Sequence, residues 1–194
     1  MIKFENLIKN IFRFFGIEIS RFSKKIHLII TDKIDLLIDV GANTAQFAKI
    51  SRKMGYKQKI ISIEPLVSAH KQLLENSKND KLWIIHDRCA IGSKNEKKII
   101  NISKNSYSSS ILDISMKHLD SANESTYIGQ DHVEVITLDL LFDKYSFNHE
   151  RIFVKIDTQG FEDQVLNGFK NNIGNTYGIQ IELSTVELYK NQKL

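Results

Sequence analysis

Leu37-Ile38-Asp39-Val40-Gly41-Ala42-Asn43-Thr44-Ala45-Gln46-Phe47 passes from an apolar segment through one glycine into a segment with helical spacing. A short apolar run that begins at Ile34 and stops at a glycine fits a strand buried on both faces of a parallel sheet. Gly41 takes backbone angles that a side chain forbids and lets the main chain approach a ligand closely. Asn43 or Thr44 supplies the N-cap of a helix over residues 45–54, closed by Gly55. Asp39, at the end of the run, either caps the Gly41 turn or positions a ligand.

Downstream the same alternation repeats. Residues 60–63 read as a second strand, and Pro65 opens a helix that continues to about residue 76. Residues 82–85 form a third strand, and residues 96–102 another. A polar stretch follows over residues 103–132, with weak signals, and residues 133–138 are strand-like. Residues 152–156 form an apolar strand ending at Asp157, residues 161–169 a helix, and residues 177–183 a closing strand. Strands alternating with helices imply an α/β fold with a Rossmann-like parallel sheet and right-handed crossovers. No internal repeat interrupts the series.

A nucleoside pocket follows from this arrangement. Glu64 ends the second strand, where a carboxylate in such folds accepts hydrogen bonds from ribose hydroxyls. Dinucleotide binders carry G-x-G-x-x-G so that a pyrophosphate can sit on a helix N-terminus. Here Gly41 stands alone, with Asn43 in place of the second glycine. A pyrophosphate is disfavoured, and a cofactor carrying an amino acid on its ribose fits better.

The remaining features set bounds. A chain of 194 residues with 42% hydrophobic and 26% charged residues suits one globular domain. The net charge of +4 is compatible with an anionic substrate or membrane surface and does not point to nucleic acid. Cys89 is the single cysteine, so no intramolecular disulfide forms, and a cytoplasmic location is expected. His70, His86, His118, His132 and His149 show no metal-ligand spacing. The chain divides into an amphipathic extension over residues 1–30 and a domain over residues 31–194. In the extension, Phe4, Leu7, Ile8, Ile11, Phe12 and Phe15 share a helical face, ending near Gly16. That helix either packs on the domain or a homodimer partner, or lies weakly on the inner membrane surface.

Several segments together resemble the FkbM-type methyltransferases. They are Asp39-Val40-Gly41-Ala42-Asn43, Ile63-Glu64-Pro65, Ala90-Ile91-Gly92, Ser108-Ser109-Ser110-Ile111-Leu112 and Thr137-Leu138-Asp139. Lys155-Ile156-Asp157-Thr158-Gln159-Gly160-Phe161-Glu162, Val165-Leu166-Asn167-Gly168 and Ile179-Gln180-Ile181-Glu182-Leu183-Ser184 complete the set. The resemblance spans residues 34–184, and the block from Lys155 to Gly168 is its most specific part. It implies a class I enzyme that moves a methyl group from S-adenosylmethionine to a hydroxyl, often on a sugar, surface glycan or related metabolite. Asp39, Gly41, Ala42, Asn43, Glu64 and Pro65 are then the cofactor turn, with Cys89 and Ala90 covering adenine. Cys89 reads as a small pocket-wall or core residue and not as a nucleophile, with no basic environment evident to lower its pKa.

Asp157 falls beside the transferable methyl in that scheme. It is the candidate general base, or ligand of a divalent ion, with Glu182 second; no clear metal site is apparent. Ser109 and Ser110 belong to a cap on the substrate side. Two departures stand out. The family usually has glycine where this chain has Ala45, and it usually continues past the last strand with a helix and an antiparallel hairpin. Here about ten residues follow, so a sheet without that hairpin is expected. Two alternatives remain open: a catalytically inactive binding module, and an NAD-type oxidoreductase.

Overall fold

The computed structural model describes residues 24–147 and 151–194; the helix expected before Gly16 lies outside them. The chain runs α1 (Lys24–Thr31), β1 (Leu36–Val40), α2 (Gln46–Lys53), β2 (Lys59–Ile63), α3 (Val67–Ser77), β3 (Trp83–Ile85), β4 (Ala90–Ile91) and β5 (Glu96–Ser103). It continues through α4 (Met116–Ser121), β6 (Tyr127–Ile136), α5 (Leu138–Tyr145), β7 (Ile152–Ile156), α6 (Glu162–Asn167) and β8 (Gly178–Ile181). Five strands form a parallel sheet in the order β3-β2-β1-β7-β8.

Alternation along β1 sorts the core into two layers. Leu36, Ile38 and Val40 join Ile152, Val154 and Ile156 against α5 and α6, through Leu141, Phe142, Val165 and Phe169. Leu37 and Ile60 face the other way, onto Ala45, Ala48, Leu73 and Ile29. Both faces of the sheet are therefore covered, which is why these strands are nearly continuous apolar runs. Each such side chain contributes roughly 1.5–3 kcal/mol on burial. The helix α1 lies beyond the Gly16 stop expected for the helical extension, crosses residue 30 and buries Ile29 in the core.

Strand order reverses at β1. From β1 the chain steps outward to β2 and β3, then returns to place β7 on the opposite side. The reversal opens a crevice beyond the carboxyl ends of β1 and β7, the usual ligand position in such sheets. Between β3 and β7 the chain builds a second sheet, β4-β6-β5, with β5 and β6 antiparallel. This sheet corrects the reading of residues 103–132 as a polar stretch. Residues from Tyr127 onward pair along β5, and Met116–Ser121 form a helix capped by Ser115. Leu138 opens α5 instead of ending a strand, because Thr137 accepts a hydrogen bond from the Leu140 amide. Residues 128–132 are polar or exposed. Their strand state is fixed by main-chain pairing with β5, which leaves little trace in side-chain pattern.

The last strand also differs slightly from expectation, running over Gly178–Ile181. Among the described residues no strand pairs with its outer edge. The chain then folds back so that Tyr189 forms an antiparallel bridge with Ile114. Among the described residues no helix is long and apolar enough to cross a membrane.

Candidate active site

The crevice at the switch point holds a cavity of about 420 Å³, within the range of roughly 300–1,000 Å³ that small-molecule sites occupy. Its first wall is main chain. Gly41, Asn43 and Ala45 all adopt positive φ, at 76°, 45° and 82°. A Cβ on Gly41 would collide with the carbonyl oxygen of Asp157. Glycine is thus demanded by the close approach of the turn after β7, not only by the space a ligand needs. The amides of Gly41 and Ala42 both donate to the Ile63 carbonyl, at 3.1 and 3.0 Å.

Asn43 and Thr44 do not cap α2. Ala45 occupies the N-cap position in the left-handed region and makes no side-chain cap. Asn43 Oδ1 instead accepts from the Thr44 amide at 2.7 Å, inside the turn. Pro65 likewise precedes α3 by two residues and lies in the cavity wall, because Leu66 remains extended.

Glu64 closes this wall. It is 3% exposed. Its Oε2 accepts from the Asn43 amide and its Oε1 from the Leu66 amide, both at 2.8 Å. Burial pushes its carboxyl up to about 7, against the pull of those two amides. Leu66, Cys89, Ala90 and Ile91 add apolar surface beside it. Cys89 is buried, and burial raises its thiol to about 12, so it is a neutral wall residue.

The opposite wall is a side-chain network. Asp39 and Lys155 are register partners on β1 and β7. Lys155 Nζ lies 3.2 Å from Asp39 Oδ1 and 3.3 Å from Asp157 Oδ2. Asp39 is fully buried and does not line the cavity, and its oxygens make no well-aligned hydrogen bond. Burial raises its pKa, and the Lys155 charge opposes the rise. The structure therefore places Asp39 behind the wall as a counter-ion to Lys155, which itself lines the cavity and sits 5.4 Å from the centre of the Phe47 ring. Lys155 was not singled out from sequence. The available signal was a cation inside the apolar run Ile152–Ile156, where an unpaired charge is costly to bury.

Asp157 lines the cavity. Its Oδ1 accepts from Gln159 Nε2 at 2.7 Å. The turn that follows is held by Glu162, whose carboxylate accepts from the amides of Thr158 and Gly160. Glu182 lies exposed beyond β8, outside the cavity wall, so the structure does not bring it together with Asp157.

Ser109 and Ser110 line the cavity but are nearly buried, and their hydroxyls serve the loop. Ser109 Oγ accepts from the Ser103 amide at 2.9 Å, and Ser110 Oγ donates to the Gln159 carbonyl at 2.7 Å. The serine run is thus a tied roof joined to the turn after β7. Tyr189 reinforces it, donating towards the Ser108 carbonyl and Gln159 Oε1.

Other recurrent segments belong to the scaffold. The Asp139 amide donates to the Gly168 carbonyl, and a Cβ on Gly168 would meet the Gly92 carbonyl. Gly92, Asp139 and Gly168, from three of the quoted segments, therefore meet outside the cavity lining. Among the described residues no group of three or more His, Cys, Asp or Glu side chains gathers as a metal site.

Comparison with protein families matches residues 39–194 to the Methyltransferase FkbM domain. No curated protein and no solved structure matches the chain. The match covers both walls of the cavity and most of the sheet, and the chain belongs to the FkbM methyltransferase family.

Proposed function

We propose that the protein is an S-adenosylmethionine-dependent O-methyltransferase acting on a hydroxyl of a sugar, surface glycan or related metabolite. The observation that carries this reading is the charge balance of the cavity. Glu64 and Asp157 line it, and among the described residues Lys155 is its one lysine or arginine, held between Asp157 and Asp39. A pyrophosphate would find no free cation among the lining residues, whereas a cationic sulfonium suits an acidic wall. Glu64 sits where ribose hydroxyls would donate, and the Leu66, Cys89 and Ala90 surface suits an uncharged base. Asn43 and the main chain around Gly41 would face the amino-acid portion.

When bound, S-adenosylmethionine supplies an electrophilic methyl group. The chain holds the acceptor hydroxyl close and in line, which converts an encounter into an oriented reaction. Asp157 takes the hydroxyl proton on its carboxylate. Lys155 and Gln159 keep that carboxylate fixed. Peripheral membrane contact through residues 1–30 and a homodimer belong to the same reading.

Calorimetry with S-adenosylmethionine, S-adenosylhomocysteine and NAD tests it, followed by labelled methyl transfer to a panel of sugars and nucleotide sugars. Binding of the first two ligands and methylation of a hydroxyl are expected. Preferential NAD binding overturns the reading. Cofactor binding with no transfer to any acceptor leaves the inactive module.

A further inference from the structure

The mechanism assigns no role to the segment after β8, yet that segment carries Tyr189 against the turn behind the cavity wall, at Gln159 and Gly160. Tyr189 is 1% exposed, among the most buried large side chains of the molecule. Its neighbours fasten it from both sides. The Ser115 amide donates to the Leu188 carbonyl at 2.9 Å, and the Lys190 amide donates to the Asp113 carbonyl at 2.8 Å. The ring packs edge-on against His118, with centroids 5.2 Å apart. It also covers Gly160, where a Cβ would lie 2.8 Å from Tyr189 Cδ2.

The hydroxyl is placed with direction. It lies 3.0 Å from Gln159 Oε1 and 3.1 Å from the Ser108 carbonyl, both acceptors, so its single proton is shared between them. The other end of the Gln159 amide donates to Asp157 Oδ1 at 2.7 Å. An ionised carboxylate only accepts, so it fixes the Gln159 amide with nitrogen inward and oxygen outward. The outward oxygen then needs a donor, and Tyr189 is the donor present. Gln159 itself holds φ of 56°, a left-handed conformation that surrounding contacts must maintain.

We propose that Tyr189 is a positioning residue that sets the Asp157 carboxylate through Gln159, so that the segment around residues 187–190 completes the proton-accepting wall. The inference rests on Asp157 being the proton-accepting group at the cavity. Lys155 on β7, Asp39 on β1, Glu162 on α6 and the Tyr189 hydroxyl are the other ionisable groups facing this carboxylate. None of them is altered by a Gln159 substitution, and only the hydroxyl is lost in Tyr189→Phe.

The test is a pH titration of the Asp157 carboxyl carbon by NMR in the full chain, with Asp157→Asn to identify the resonance. Gln159→Leu moves the titration midpoint upward by about one pH unit, the size of one charge-assisted hydrogen bond lost. Tyr189→Phe, which keeps the ring over Gly160, moves it in the same direction by less. Thermal unfolding of Tyr189→Phe checks that the fold persists. A midpoint shifted by Gln159→Leu but unmoved by Tyr189→Phe overturns the role of Tyr189. A midpoint unmoved by either overturns the whole relay. Because the readout needs neither cofactor nor acceptor, it is separate from the test of methyl transfer: a shifted midpoint in a protein that fails to bind S-adenosylmethionine supports the relay and overturns only the functional reading.

Discussion

The two walls of the cavity are built by different means. The wall after β1 and β2 is main chain in tight turns, pinned by one carboxylate, Glu64, on two amides. The wall after β7 is a chain of side chains, Asp39–Lys155–Asp157–Gln159–Tyr189, drawn from three places in the sequence. A backbone wall holds a fixed shape at little cost in side-chain entropy and tolerates few substitutions. A side-chain wall can hold a charged group in a chosen orientation, at the cost of burying ions that must be paired. The first suits recognition and the second suits chemistry.

The largest effect that would break this contrast lies where the walls touch. Gly41→Val places a branched side chain at positive φ against the Asp157 carbonyl. It should cost ~3–5 kcal/mol, from left-handed strain and backbone collision together, and abolish cofactor binding. Normal thermal stability of the variant would show that the turns are not locked together.

Asp157→Asn acts on the chemical wall alone. Cofactor affinity should persist while methyl transfer falls by ~10²–10⁴-fold. Transfer at the wild-type rate would reassign the carboxylate to holding Lys155 and Gln159.

Glu64 tests the recognition wall. Glu64→Ala should weaken S-adenosylmethionine binding by ~1–3 kcal/mol, through lost charge-assisted hydrogen bonds. The sign of the pH dependence follows from a folded-state pKa raised from 4.5 to about 7. Glu64 is destabilising when ionised, so its contribution makes the free protein less stable as pH rises from about 4.5 to 7. With Glu64 as the proposed acceptor of ribose hydroxyls, cofactor binding should strengthen across pH 7 in the opposite sense. Affinity measured at several pH values should rise in the wild type and stay flat in Glu64→Ala. The same slope in both would place the titrating group elsewhere.

The smallest effect is at Ala45, which takes φ of 82° where glycine would be free of strain. Ala45→Gly relieves ~1 kcal/mol of left-handed strain and loses a similar amount to unfolded-chain entropy and a missing buried methyl. Thermal unfolding should therefore shift by no more than ~1 kcal/mol equivalent, with the cavity intact. A large gain in either stability or affinity would mean that alanine distorts the turn.

The parallel sheet, its position for the Gly41 turn and the carboxylate at Glu64 were determined by the sequence alone. Strands covered on both faces are nearly continuous apolar runs, so Leu36–Val40, Lys59–Ile63 and Ile152–Ile156 announce themselves. The turn residues follow in fixed order within a few positions of each strand. The tertiary structure decided what lies far apart in the chain. It turned Asp39 away from the cavity as the partner of Lys155, left Glu182 outside, and spent the Ser109 and Ser110 hydroxyls on the roof. It also brought Tyr189 to Gln159 across 30 residues of sequence. The β6 strand from Tyr127 to His132 is held by main-chain hydrogen bonds to β5. Local pattern records burial, because burial selects residue types position by position. A hydrogen bond or ion pair between distant segments selects only that the partners meet, and that is settled by how the layers pack.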